Sequence, residues 1–309
     1  MRQFTIKSAL LLCAVLFAFS ACGNREKFTL VYNLNVGDTF EIAMSMDMNI
    51  RQVMMGQVMD MGVYMSMTTS YTITSVTDNT IGMNFVVDEI TSAMDMDGFG
   101  FEFGSTSDAE FATEEDLGPI LRAMTNLPFS MTMNKQGEVQ SIRGMEQIMD
   151  AMLASIDGEI DALMREQMVS QFAQQFSEES MQSNMGQWFA VFPTNPVRIG
   201  ESWNTSQTVN TGQINMHVDM RTTLRSVHDN VAVLEQTATF VTDEPIIQVT
   251  GGMETAINLT GTQTGTIEID MNTGWIISGN TTQNIETELD IMGMTLPQTI
   301  TSRISFEGR

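Results

Sequence analysis

Residues 44–51 read Met44-Ser45-Met46-Asp47-Met48-Asn49-Ile50-Arg51, and this stretch decides the fold. Apolar side chains hold every even position and polar ones every odd position. On an extended strand successive side chains point to opposite faces, so Met44, Met46, Met48 and Ile50 share one face and Ser45, Asp47, Asn49 and Arg51 the other. That is the signature of a half-buried antiparallel strand. After Gly56 the alternation resumes with Met59, Met61, Val63, Met65 and Met67, and it runs on through Tyr71 and Ile73. Asp78-Asn79 supplies a tight turn, and Ile81, Met83, Phe85 and Val87 begin the next strand. Strands of this length suit a wide curved sheet better than a compact sandwich.

The middle of the chain changes period. Thr113, with Asp116 three residues on, is the expected cap of a short helix over 114–124. From Met145 to Phe176 apolar residues recur at helical spacing, among them Met149, Met152, Leu153 and Phe172, with a break at Gly158. A further short helix is expected over 178–189, capped by Ser177. The segments on either side resemble each other. Val36-Gly37-Asp38-Thr39-Phe40 matches Ile199-Gly200-Glu201-Ser202-Trp203, and Ser75-Val76-Thr77-Asp78-Asn79 matches Ser226-Val227-His228-Asp229-Asn230. Met133-Asn134-Lys135-Gln136-Gly137 resembles Met271-Asn272-Thr273-Gly274. Three matches in one order predict a duplicated β-meander. The fold class is therefore mainly β with a helical insertion: two related antiparallel meanders forming a curved sheet or half-barrel, covered by amphipathic helices.

The start of the chain reads as an export signal. Arg2 and Lys7 precede an apolar run from Ala9 to Phe19, too short for a stable membrane span, and the run closes on Phe19-Ser20-Ala21-Cys22. Small residues before a cysteine form a lipobox, here with Phe in place of the usual Leu. The expected organisation is a lipoprotein signal peptide over 1–21, a lipidated tether over 22–27, a first meander over 28–144, a helical connector over 145–189 and a second meander over 190–309. Gly23-Asn24-Arg25-Glu26-Lys27 holds no Asp beside the cysteine and no acidic run of the kind associated with surface display. An outer-membrane lipoprotein facing the periplasm is the expectation, with surface exposure as the alternative. Cys13 leaves with the signal, so the mature part holds one cysteine, the lipidated Cys22, and no internal disulfide can form.

The formal charge is −24, with 14 Lys and Arg against 38 Asp and Glu and no basic cluster. Nucleic acid is excluded as a partner, because phosphate binding needs clustered cations. Anionic headgroups also repel such a surface, so acyl chains on Cys22 must supply attachment to the bilayer.

The lipobox, the early Gly37-Asp38-Thr39-Phe40 and the run Phe192-Pro193 … Pro196-Val197 … Gly200 … Trp203 resemble an uncharacterised family of Gram-negative lipoproteins. The resemblance spans nearly the whole mature chain and implies no activity, so no site residue comes with it. It implies a turn into a strand with Trp203 buried. The architecture is similar to half-barrel carriers of lipids and lipoproteins in the bacterial envelope.

Motifs for chemistry are scarce. No nucleophile elbow, phosphate loop, zinc-protease helix or dinucleotide fingerprint occurs. His217 lies mid-strand opposite the face of Met216, Val218 and Met220, His228 lies in a turn, and eleven extended residues separate them by roughly 36 Å. Asp95-Met96-Asp97-Gly98 invites a calcium loop, but an EF-hand frame puts Ala93 and Gly104 at the first and twelfth ligand positions. It reads as an acidic loop, and Gly98-Phe99-Gly100-Phe101-Glu102-Phe103-Gly104 as a flexible aromatic one.

Methionine is the one unusual abundance, at 29 residues. Alternate methionines on a strand could hold Cu(I), but Cu(I) sites concentrate Met with His or Cys, which these do not. Methionine is also the adaptable filler of binding surfaces. The expectation is a non-catalytic protein without cofactor or metal, holding a hydrophobic ligand or envelope partner between sheet and helix. Its lining would be Met44, Met46, Met48, Met61, Met65, Met67, Met149, Met152, Leu153 and Phe172. A scaffold with a filled core and no ligand is the alternative, and Cu(I) binding the remote one. The lipobox generates the first test: Cys22→Ser should abolish incorporation of labelled palmitate and release the protein from membranes, whereas unchanged membrane association would contradict acylation at Cys22.

Overall fold

The computed structural model describes residues 26–309 except 55, 97–98, 106–117, 156–177, 187–188, 211–214, 243–244, 251–252 and 292–293. Cys22, Thr113, Gly158, Phe172 and Ser177 lie outside the described residues. The described residues form one antiparallel sheet of 13 strands. In the first half these are β1 (Thr39–Met54), β2 (Gln57–Val76), β3 (Thr80–Met96), β4 (Phe99–Gly104), β5 (Phe129–Asn134) and β6 (Val139–Arg143). In the second they are β7 (Ser202–Asn210), β8 (Asn215–His228), β9 (Val231–Thr242), β10 (Ile246–Thr250), β11 (Met253–Asp270), β12 (Ile276–Ile291) and β13 (Met294–Gly308). Three helices are described: α1 (Gly118–Met124), α2 (Met145–Ser155) and α3 (Glu178–Met185).

The order across the sheet is β6-β5-β3-β2-β1-β13-β12-β11-β9-β8-β7, with β4 beside β3 and β10 beside β11. The two meanders are joined where the last strand of the chain pairs with the first, from Ile42 opposite Gly308 to Gln52 opposite Gln298. The sheet stays open. Its edges are β6 and β7, the strands that flank the helical segment, and α3 touches both. Gln182 Nε2 donates to the Val139 carbonyl at 2.9 Å, which occupies one acceptor on the β6 edge.

The duplication extends to individual hydrogen bonds. Gly37 N–H donates to the Ile73 carbonyl, and Ile73 N–H returns a bond to Asp38. Gly200, Leu224 and Glu201 repeat this pair of bonds. The Asp38 carboxylate accepts from Asn35 N–H at 2.7 Å, and Glu201 accepts from Arg198 N–H at 2.8 Å. Backbone and then guanidinium hydrogen bonds from Arg198 hold the Glu201 carboxyl below the usual carboxylate range. Both halves also carry a β-bulge at the same place, between Ile73 and Ser75 and between Leu224 and Ser226. The bulges bend long strands, which lets the sheet curl.

The third repeat needs a correction. Met133 is the last buried residue of β5, and its counterpart by position is Ile269 in β11, not Met271. Asn134 and Asp270 are the equivalent strand ends, each accepting backbone N–H bonds from its turn. The second turn is one residue longer, so similar turn chemistry aligned out of phase. After β12 the chain continues as β13, but after β6 it continues into helices. The segment ending in α3 therefore stands at the seam where the repeat would place a strand.

Three further expectations change. The helix expected over 178–189 is α3, which ends at Met185. The segment read as a flexible aromatic loop is β4, paired with β3 from Met96 opposite Phe99 to Thr91 opposite Gly104. Trp203 is half-buried, with its indole N–H donated to the Val191 carbonyl.

The inner face carries a main cluster of buried apolar residues, against which the helices pack, and a smaller one around Val209, Val218, Ala238 and Phe240. Ile148 and Met152 of α2, Met185 of α3 and Leu121 of α1 all join the main cluster. The extended segment 28–34 crosses the end of the sheet. Tyr32 N–H donates to Lys135 in one half and Asn33 N–H to Thr273 in the other, while Leu30, Tyr32 and Leu34 turn inward. The outer face is polar, with hydroxyl pairs such as Ser45–Ser305 and Ser66–Thr91 and the ion pairs Arg51–Asp60 and Arg225–Glu235. A membrane-spanning barrel has the reverse arrangement, apolar outside.

Gly37 and Gly137 separate two costs of a left-handed residue. Both have φ near +95°, but a Cβ on Gly37 meets nothing within 4 Å, while one on Gly137 overlaps the Ala190 carbonyl and lies 2.7 Å from Tyr32 Cε2. Gly37→Ala should therefore cost only backbone strain, roughly 1–2 kcal/mol. Gly137→Ala should cost about 3 kcal/mol or more, because the crossing segment must move as well. Denaturant midpoints of the two variants measure the difference, and equal losses would contradict it.

Candidate functional site

The strand registers stack the inner face into rows, read here from β7 round to β2. The lowest row runs Leu224, Leu234, Ile267, Gly279, Phe306, Met44, Met67 and carries no polar side chain. The next runs Trp203, Thr222, Gln236, Gly265, Thr281, Ile304, Met46, Met65. Above it come Thr205, Met220, Ala238, Gln263, Gln283, Ser302, Met48, Val63, and then Gln207, Val218, Phe240, Gly261, Ile285, Ile300, Ile50, Met61. In the first half these rows are apolar. In the second, a belt of Thr and Gln runs between apolar rows.

A cavity of about 150 Å³ opens within this belt. Phe189 and Val191 flank it beyond α3, with Ile267, Phe306 and Met44 from the lowest row and Val218 and Phe240 from the uppermost. Between them stand Thr222, Gln236, Thr281, Gln263 and Gln283. Gly261, Gly265 and Gly279 point inward beside it and present no side chain. A Cβ on Gly265 would lie 2.7 Å from Thr281 Oγ1. Gln283 Nε2 donates to Gln263 Oε1 at 2.9 Å. Gln236 is 6 % exposed, and its carboxamide makes no hydrogen bond to the protein among the described residues. No charged side chain is among the described residues lining the cavity.

Of the residues expected to line a ligand site, Met44 lines this cavity. Met46 opposes Ile304, a lining residue, on one side and Met65 on the other. Met48 and Met61 follow along the same face, all four half-buried, while Met67 is buried. Met152 is buried from α2, and Met149 and Leu153 are half-buried on that helix. Sequence reasoning missed the polar belt, because a Gln or Thr on a strand reads as a solvent position. His217 contacts Ser206 and Asp219 and His228 contacts Asp229, both away from the cavity. Among the described residues no three His, Cys, Asp or Glu side chains come together.

Phe189 also belongs to an aromatic cluster at the closed end of the sheet, with its ring against Tyr32, Tyr71 and Trp275. Burial pushes the phenols of both Tyr32 and Tyr71 far above the ordinary tyrosine value. Tyr32 holds its place by accepting Ala190 N–H at 3.2 Å.

Residues 78–276 match a family of unknown function, DUF6263, and the chain belongs to that family. No curated protein matches it. Among solved structures, one concerned with lipid–protein interactions in lipovitellin superposes with a TM-score of 0.52 at 10% identity. The match covers 90% of this chain and 25% of lipovitellin, so the chain spans about a quarter of that protein, and the likeness is one of fold. The translocator domain of the autotransporter NalP from Neisseria meningitidis reaches 0.22 at 8% identity, covering 98% of this chain and 96% of its own. An outer membrane channel from Pseudomonas putida F1 reaches 0.23 at 8%, covering 90% and 97%.

The two buried phenols set an alkaline limit. They stay protonated in the folded chain to higher pH than in the unfolded one, so these two groups should add no pH dependence to stability below about pH 10 and lower it above, by about 1.4 kcal/mol per unit for each group. The double variant Tyr32→Phe, Tyr71→Phe should start less stable and show a flatter decline. An identical slope in denaturation series across this range would contradict the assignment.

Proposed function

We propose that this chain is an envelope lipoprotein, anchored by acylated Cys22 to the outer membrane and facing the periplasm, which holds an apolar ligand without catalysing a reaction. The observation that carries the reading is a cavity that continues onto a methionine-lined face. Met44 and Ile304 line the cavity, and Met46, beside Ile304, leads on to Met65. Clefts with apolar walls and a few converging polar groups are the usual form of small-molecule sites. Methionine suits ligands of varied shape, since it repacks at little cost. The fold shared with a region of lipovitellin, whose structure concerns lipid–protein interactions, supports the same reading. The cavity alone has the size that holds a benzene-sized group. A longer ligand therefore lies partly along the methionine rows.

Organic extraction of the protein followed by mass spectrometry, together with titration by a neutral solvatochromic dye, tests this directly. A co-purifying apolar molecule and saturable dye binding are expected. Met46→Trp and Met65→Trp should fold and lose both. If nothing is extracted, the dye stays silent and the Trp variants only lower Tm, the inner face is a filled core and the protein a scaffold.

A further inference from the structure

We infer that the polar belt is the seat of a ligand's headgroup, and that this headgroup is uncharged and hydrogen-bonding: the ester, hydroxyl or amide end of a neutral amphiphile such as a monoacylglycerol. The inference rests on the apolar-ligand reading and names the ligand class for that same site. Three observations carry it.

The first is an unpartnered buried amide. Gln236 is more than nine-tenths buried and lines the cavity, and its carboxamide makes no hydrogen bond to the protein among the described residues. Its polar atoms are not among those sealed inside the protein without a partner, so they open onto the cavity. Thr222 and Thr281, at 3 % and 7 % exposure, stand on either side of it in the same row. Leaving such groups without a partner is costly, and a ligand that supplies donors and acceptors removes the cost.

The second is the sign of the environment. The polar groups offered are carboxamides and hydroxyls, and among the described lining residues no Lys or Arg stands ready to pair with an anion. The chain carries −24, which adds a repulsive field. Burying a carboxylate or phosphate here would leave it without a counter-charge. A carboxamide both donates and accepts, which matches a hydroxyl or an ester.

The third is continuity. The row through Gln263, Gln283 and Ser302 passes directly to Met48, Val63 and Met94. From Gln283 to Met94 the row crosses four strand spacings, roughly 19 Å at about 4.8 Å each. A headgroup at the glutamines thus leaves its acyl chain on the methionine face.

Dye displacement from the full chain carrying Cys22→Ser separates the ideas. 1-Monomyristoylglycerol should displace the neutral dye at about tenfold lower concentration than myristate, the worth of one hydrogen bond. Gln236→Leu should erase that preference, and Thr222→Val should reduce it. A native circular dichroism spectrum and a cooperative thermal melt show that each variant is folded. If myristate competes as well as the glyceride, or if the preference survives both substitutions, the inference is overturned while the apolar site stands. If the native chain binds no dye at all, the apolar reading itself fails and takes this inference with it.

Discussion

The pairing of the last strand with the first is the constraint on which the rest of the molecule depends. Ile42–Gln52 meets Gln298–Gly308, and among the described residues this ladder alone joins the two meanders within the sheet. It also fixes what the inner face is made of. Because side chains alternate with a period of two, a slip of one residue along β13 would turn Phe306, Ile304 and Ile300 outward and bring Ser305 and Arg303 inward. The apolar rows would break at their midpoint, between Met44 and the second half. Register is thus held by hydrophobic matching between residues far apart in sequence, Met44 with Phe306, Met46 with Ile304 and Ile50 with Ile300. The Ser45–Ser305 hydroxyl bond secures the same register on the outer face.

The two halves share a backbone plan and diverge in chemistry. Equivalent glycines, acidic side chains and bulges enter and bend β1–β2 and β7–β8 in the same way. Yet in these rows β1 and β2 of the first half present methionine, isoleucine and valine, while the second half carries Thr and Gln at matching depth. The segment after β6 also departs from the repeat, becoming helical where its counterpart is β13. That departure leaves the sheet open at one seam and sets α3 against both edges. The cavity lies on this side, flanked by Phe189 and Val191 as the chain runs from α3 towards β7.

What could be read from the sequence follows the range of the interactions. Alternation at Met44–Ile50 and Met59–Ile73 is local, so the strands, their inward residues and the long curved sheet were legible. The duplication was legible too, since the turn residues Asp38 and Glu201 bond to Asn35 and Arg198, each three positions away. Phe99, Phe101 and Phe103 also alternate, but the intervening Gly and Glu obscured a strand whose order comes from pairing with β3. Met133 and Met271 were aligned by turn composition, which says nothing about which residue ends a strand. The cavity was invisible for a stronger reason. Gln236, Gln263, Gln283 and Met44 come from four strands, and only the register β9-β11-β12-β13-β1 brings them to neighbouring rows.

Stability considerations alone do not account for such a belt. A closed core is most stable when filled with well-packed apolar groups, and a half-satisfied polar network is worse than none. Here Leu224, Leu234 and Ile267 below, and Val218 and Phe240 above, form layers that a Leu or Ile at position 236 would join without a break. Instead the chain keeps a carboxamide there, threonines beside it, and glycine at three inward positions nearby. The carboxamide and the threonines give up apolar packing for a space with hydrogen-bonding walls and no charged lining side chain among the described residues. The glycines let neighbouring strands approach closely, since a Cβ on Gly265 would meet the Asn280 carbonyl at 2.5 Å. Departures from local consistency that cluster in space mark function rather than folding. The methionine face extends this logic, since it gives up the rigid packing of branched side chains for a surface that can adapt to what lies on it.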